Sequence, residues 1–139
     1  MMDDMSGLDQ RKIAAALSAA VAAAEGEEAK IVVALVDRGG NLCGLLHMPS
    51  AFLASRDYAE WKAWTAASFA LATTGLAAML DSQEAHVREG LLAHPKVTAL
   101  PGGIPLHRDG VLIGAVGVSG GSGEQDVRIA EAAAKAALA

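Results

Sequence analysis

Few residues in this 139-residue chain have the type and setting to do chemistry. The four histidines, His47, His86, His94 and His107, form no HxH or HExxH unit, and their spacing does not make a preformed zinc site. His47 and His107 fall at or near strand ends. A lone imidazole there is either a surface or hydrogen-bonded residue or a single metal ligand. His107 is the favoured candidate because it lies inside a glycine-rich hairpin. Met48 follows His47 and could also bind iron, but adjacent strand residues point to opposite faces and cannot bind one ion from the same side.

Lys62 is conspicuous for a different reason. It sits in AEWKAWTAASF, a helical stretch that is apolar nearly all round. A lysine buried there needs an anionic partner or a route to water. Glu124 and Asp126 are available acids. They also read simply as macrodipole compensation in the first turn of the last helix; alternatively, one of them pairs with Lys62 or bonds a ligand. The turn Gly120-Gly121-Ser122-Gly123 precedes that helix, and backbone N–H groups at a helix start attract anions. It matches neither G-x-x-x-x-G-K-[ST] nor G-x-G-x-x-G after a parallel strand, so it suits a carboxylate better than a nucleotide. Cys43, mid-strand and without a basic neighbour in sequence, reads as a buried inert thiol. Ser119 has no triad order of acid and histidine that would activate it, and nothing supports hydrolase chemistry.

The elements that must position these residues follow from periodicity. Residues 6–25 read as a helix with Ile13, Ala16, Leu17, Ala20, Val21 and Ala24 on one face. Residues 31–36 and 42–46 are strands joined by Asp37-Arg38-Gly39-Gly40, and residues 51–54 a short helical segment. Residues 57–73 form the apolar helix, with Trp61, Trp64 and Leu71 toward one side and Ala59, Ala63, Ala66 and Ala70 toward another. Within it, Thr65 and Ser68 can bond backbone carbonyls of their own helix. Thr73-Thr74-Gly75 interrupts it; residues 76–80 resume it, and Asp81 with Glu84 marks another start, of a segment ending near Ala93. Residues 97–100 are a candidate short strand. Ile104 to His107 and Val111 to Val118 make the second hairpin about Arg108-Asp109-Gly110. On its returning strand Gly114 and Gly117 face opposite sides, each a place where a backbone or flat ligand can approach. Ser122 and Gln125 give the S-x-x-Q pattern of a capping box, opening a last helix over residues 124–138 with Val127, Ala130, Ala134 and Leu138 inward. The order is helix, hairpin, helices, hairpin, helix: a single domain over residues 1–139, α+β, with an antiparallel sheet of four to five strands flanked by helices.

Composition sets the outer limits. The formal charge is −5 and no basic cluster appears, which argues against nucleic acid or an anionic membrane as partner. One cysteine allows no internal disulfide. The N-terminus carries acids where a signal peptide needs bases, and no 18-residue apolar run follows, so a cytoplasmic protein is expected. The abundance of alanine implies close helix contacts and burial between subunits, hence a homo-oligomer.

GGIPLHRDGVLIGAVGVSGGSGEQD, preceded by LVDRGGNLCGLL and KAWTAASF, resembles the GlcG/HbpS-like family of small haem-binding or haem-degrading domains, also found at the C-terminus of PduO-type proteins. The resemblance runs from about Leu8 to the end. It implies the profilin-like form of the α+β fold, assemblies beyond the dimer, and haem or a related tetrapyrrole as cofactor. On that view Gly102, Gly103, Gly114 and Gly117 let a ring approach the backbone, and Phe69 and the tryptophans contact it beside Thr65. Lys62 and the N–H groups after Gly120, near Glu124, take propionates, and His107 or His47 supplies the axial bond. Two alternatives stay open: an enzyme or accessory protein for a small hydroxy or oxo acid, its carboxylate held by Lys62 and the helix start near Glu124, and an oligomeric scaffold without ligand.

Overall fold

The computed structural model describes residues 7–139. Helix α1 (Gln10–Gly26) is followed by strands β1 (Val32–Asp37) and β2 (Leu42–His47), then helices α2 (Ser55–Phe69), α3 (Thr73–Asp81) and α4 (Ala85–Leu92). Strands β3 (Gly103–Arg108) and β4 (Val111–Ser119) lead to α5 (Gly123–Leu138). The four strands form one antiparallel sheet in the order β2-β1-β4-β3, so the two hairpins meet along β1 and β4 and leave β2 and β3 as edges. The element order and the four-stranded α+β architecture are those the sequence implies.

The sheet separates two unequal layers. α1 and α5 pack against each other on one face, through Ala16, Ala20 and Ala24 on one side and Ile129, Ala130, Ala133 and Ala137 on the other. Alanine permits that closeness, and with Ile31, Val33, Leu35, Val116 and Val118 beneath, it makes the main core. The expected inward face of α5 is therefore rotated: Ala130 and Ala134 are buried, but the bulkier Val127 and Leu138 fall to the margins. α2 alone crosses the other face, placing Ala59, Ala63 and Ala66 on Val32, Ala34, Val36 and Ala115. Gly117 explains how a helix lies so close, since a Cβ there would run into the Ala59 carbonyl oxygen and sit 2.6 Å from the Ala63 nitrogen.

Several boundaries differ from expectation, each for a local reason. α1 starts at Gln10 because the Asp9 carboxylate accepts from the Lys12 N–H at 2.9 Å, and Ser6 lies outside the described residues. Residues 51–54 are turns rather than helix, leaving Phe52 and Leu53 72% and 75% exposed. α2 stops at Phe69 because Ala70 takes the left-handed conformation (φ 51°), so Thr73 opens α3 instead of ending α2. α4 starts one turn after Asp81, with Glu84 at its N-cap. Residues 97–100 are not a strand: the Thr98 N–H donates to Thr65 Oγ1 at 3.1 Å, and Thr98 Oγ1 accepts from the Leu100 N–H. Thr65 thus bonds outside its own helix, donating to the Lys96 carbonyl at 3.0 Å, while Ser68 bonds within it to Trp64. The capping box of α5 is complete, with Gln125 N–H to Ser122 Oγ at 3.2 Å and Ser122 N–H to Gln125 Oε1 at 3.0 Å.

Candidate functional site

The structure gathers part of the sequence-derived set at the junction of α2, β4 and α5. Lys62, 3% exposed, donates to the Val118 carbonyl at 2.8 Å and to Asp126 Oδ2 at 3.2 Å. Asp126 Oδ1 accepts the Gly121 N–H at 2.9 Å, so the acid that answers Lys62 is the second of the two candidates and not Glu124, which is exposed. Burial pushes the Lys62 amine below its ordinary value against the attraction of Asp126. Burial likewise pushes the Asp126 carboxyl up, opposed by Lys62 and the N–H groups of Gly121 and Gly120.

The surrounding glycines exist to let this junction close. Gly102 has φ +121°, and a Cβ on it would stand 3.3 Å from Lys62 Nζ and 2.5 Å from the Val118 oxygen. At Gly103 a Cβ would strike the Lys62 carbonyl, and its N–H donates to the buried Thr73 hydroxyl at 3.0 Å. Gly120 lies over the Lys30 carbonyl. The close approaches at Gly102, Gly103, Gly117 and Gly120 are thus filled by the chain itself, and at Gly114 by Leu8 and β1. The outer sides of Gly102 and Gly103, with Thr74, Ile104, Val127 and Glu131, floor a groove of about 290 Å³. Pro101, Glu124 and Arg128 extend it through Thr74 and Val127.

The remaining candidates are dispersed. His47 and His107 occupy opposite edge strands, three strand spacings (roughly 14 Å) apart across the sheet and at opposite ends of it, and cannot share one iron. His47 Nε2 is 3.1 Å from the Ala51 carbonyl. Met48 is buried, its sulfur accepting the Ile31 N–H at 3.5 Å. His86 lies 3.7 Å from Glu84, and His94 stacks on Trp64 and accepts the Lys96 N–H. His107 is exposed and, among the described residues, is the one imidazole without a hydrogen-bonding, ionic or stacking partner. Beside it, the buried Arg108 Nη2 has no hydrogen-bond partner among the described residues. Phe69 is half-buried at the end of α2. Cys43, expected to be buried, is exposed on edge strand β2, where a bulge removes it from the ladder; partial desolvation and then Asp37 push its thiol up, so it is unreactive all the same.

Both hairpins are irregular at the same end. Against β1, β2 carries the extra residue Cys43, and against β3, β4 carries the extra residue Ile113. Between these bulges lies the largest opening described, a cleft of about 570 Å³ lined by Leu8, Asp37, Arg38, Asn41, Cys43 and residues 111–113, with Gly7 and Gly39. Asp37 Oδ1 accepts from the N–H groups of Gly39 (2.9 Å) and Asn41 (3.0 Å) and from the Asn41 amide (3.2 Å). Burial raises the Asp37 carboxyl, but these donors together outweigh it and hold the group below its ordinary value. Among the described residues, no three His, Cys, Asp or Glu side chains converge as a metal site, and no single helix is long and apolar enough to cross a membrane.

Comparison with known proteins gives a consistent picture. Residues 8–135 match the family described as haem degrading protein HbpS-like. The corrinoid adenosyltransferase PduO of Salmonella typhimurium is 42% identical over 117 residues, which are 83% of this chain but 34% of that protein, so the chain spans about a third of its length. A crystal structure of a PduOC:heme complex superposes with a TM-score of 0.86 at 37% identity, covering 94% of each chain. A Streptomyces reticuli HbpS double mutant superposes at 0.84 with 35% identity, over 94% of this chain and 86% of that one.

Proposed function

From the premise that this chain belongs to the HbpS-like family, we propose that it binds haem at the free edge of β3, with His107 as axial ligand. The observation that carries the site is the exposed His107 imidazole, which has no partner among the described residues. The haem bound to the similar PduOC supports the choice of ligand. An iron–imidazole bond needs one free nitrogen; His107 keeps both, whereas His47 and His94 each spend one on the protein and His86 lies against a carboxylate. Pro105 on this edge strand has no N–H to leave unsatisfied, as an edge that meets an apolar ring requires. Lys62 is buried and held by the Val118 carbonyl and Asp126, so it takes no part in this site.

Haemin titration tests this. A saturable Soret shift is expected, abolished by His107→Ala. His47→Ala should leave it unchanged. Loss of binding in Val127→Trp, with His107→Ala unaffected, would move the ring to the groove beside Gly102 and Gly103. Absence of saturable binding in the parent chain would remove the haem reading itself.

The exposed Phe52 and Leu53, with half-exposed Tyr58 set edge-on to Trp61, support self-association through the β2–α2 connection. Sedimentation should give an oligomer at micromolar concentration that Phe52→Ser with Leu53→Ser reduces; a monomeric parent chain would refute it.

A further inference from the structure

We propose that the cleft between the two bulged hairpins is a second ligand site, separate from the haem edge, that takes a small carboxylate carrying a hydroxyl or oxo group beside the acid and a short apolar tail. Three observations point there. The first is shape: the cleft holds about 570 Å³, inside the ~300–1,000 Å³ range of small-molecule sites, and both sheet irregularities lie on its wall. A bulge turns a strand out of its ladder and re-aims side chains. Here the extra residues Cys43 and Ile113 lie at the same end of the sheet, and both line the cleft.

The second is polar preorganisation. Asn41 is fixed by its backbone N–H and its side-chain amide, both on Asp37, and by its backbone carbonyl, which accepts the Asp37 N–H at 2.9 Å, yet its side-chain oxygen Oδ1 has no partner among the described residues. Asp37 Oδ2 receives a single long contact, 3.3 Å from Asn41 Nδ2, and can accept one more donor. A hydroxyl placed there donates to Asp37 Oδ2 or to Asn41 Oδ1; an oxo group accepts from the amide hydrogen of Asn41 that Asp37 does not hold. The turn that shapes the hairpin therefore also presents oriented donors and acceptors.

The third is charge. Arg38 is exposed on the rim and makes no ion pair or hydrogen bond among the described residues. Its planar fork matches a carboxylate in two parallel hydrogen bonds. Asp37 stands beside it and repels a second negative charge, which favours a monocarboxylate over a dicarboxylate. Leu8, Val111, Leu112 and Ile113 supply the apolar wall for a tail of a few carbons. Cys43 contributes no nucleophile, because its thiol is pushed up and donates to the Leu35 carbonyl at 3.4 Å. The site is one for binding.

The probe is 2-hydroxybutyrate, with butyrate and 2-butanol as controls, followed by amide chemical shifts of the full chain and by melting temperature. Saturable shifts at Asn41, Cys43 and residues 111–113 are expected, with a Kd on the order of 1 mM or tighter and weaker binding of both controls. Arg38→Ala, an exposed change, should weaken the acid roughly tenfold or more without altering 2-butanol. Cys43→Trp, on the edge strand opposite His107, should block all three while the haemin titration stays normal. Shifts scattered away from the cleft, or equal affinity in the parent chain and Arg38→Ala, would overturn the proposal. Because haemin is read separately by its Soret band, failure here and failure of the haem reading are distinguishable.

Discussion

The α2–β4–α5 junction and the bulged end of the sheet use similar residues to opposite ends. Each holds an aspartate, a cation and glycines. At the junction, Asp126, Lys62 and the Val118 carbonyl satisfy one another, and glycines remove every Cβ that would keep the helix, strand and turn apart. At the sheet end, Asp37 satisfies only its own turn, Arg38 has no partner among the described residues, and a bulge in each hairpin lines an open cleft. A charged residue in an apolar stretch invites a functional reading, yet here the buried lysine is a clasp. What distinguishes a ligand group from a structural one is unused hydrogen-bonding capacity in the folded chain, and residue type does not reveal it.

The sharpest way to break this contrast is to open the clasp. Asp126→Ala strands the Lys62 ammonium in the interior and should cost ~3–5 kcal/mol in urea unfolding. Lys62→Met leaves Asp126 with its Gly121 and Gly120 donors and should cost less. The double change Lys62→Met with Asp126→Leu should recover most of the loss, because two apolar groups no longer need each other. If Asp126→Ala were neutral, the pair would not be holding the junction. Gly117→Ala comes next, at ~1–3 kcal/mol, since its new methyl meets the Ala59 carbonyl and α2 must lift from the sheet.

How much of this was legible beforehand depended on range. The capping box of α5, the two hairpins and the paired state of Lys62 follow from local pattern or from a simple prohibition, that a charge cannot be buried alone. Which acid would pair with Lys62 was not legible, because Glu124 and Asp126 lie two apart and only the rotation of α5 on α1 decides which points inward. That rotation is set by alanine contacts spread over two helices more than 90 residues apart in sequence. The end of α2 at Ala70 was hidden similarly, since alanine is a strong helix former and its left-handed φ is imposed from outside. Among candidate ligands, spacing told the histidines apart poorly. Their difference lies in which carbonyls, carboxylates and rings they meet after folding.

At the sheet end the effects on stability should be small and those on binding large. His107→Ala is expected to change unfolding free energy by no more than ~0.5 kcal/mol, as for an exposed side chain without partners, while abolishing the Soret shift. A loss of stability comparable to Asp126→Ala would make His107 part of the frame and erase the distinction between the two regions.

The smallest expected effect sharpens the comparison through pH. Asp37 is held below its ordinary value of 3.8 in the folded chain by the N–H groups and amide it receives, against a raising effect of burial. A carboxyl with a depressed folded pKa stabilises the fold at pH values above its unfolded pKa, and that contribution is lost as pH falls through the folded value. Asp37→Asn keeps a side-chain acceptor for Gly39 and Asn41 but removes the charge. At neutral pH the variant should therefore be less stable by under ~1 kcal/mol, given a turn that faces solvent. The difference should shrink below about pH 4, where the parent aspartate begins to protonate. The same substitution removes the charge beside Arg38, so it should weaken the cleft's preference for monocarboxylates over dicarboxylates. A gap in stability that widened toward acid would mean that Asp37 is held by something other than these donors.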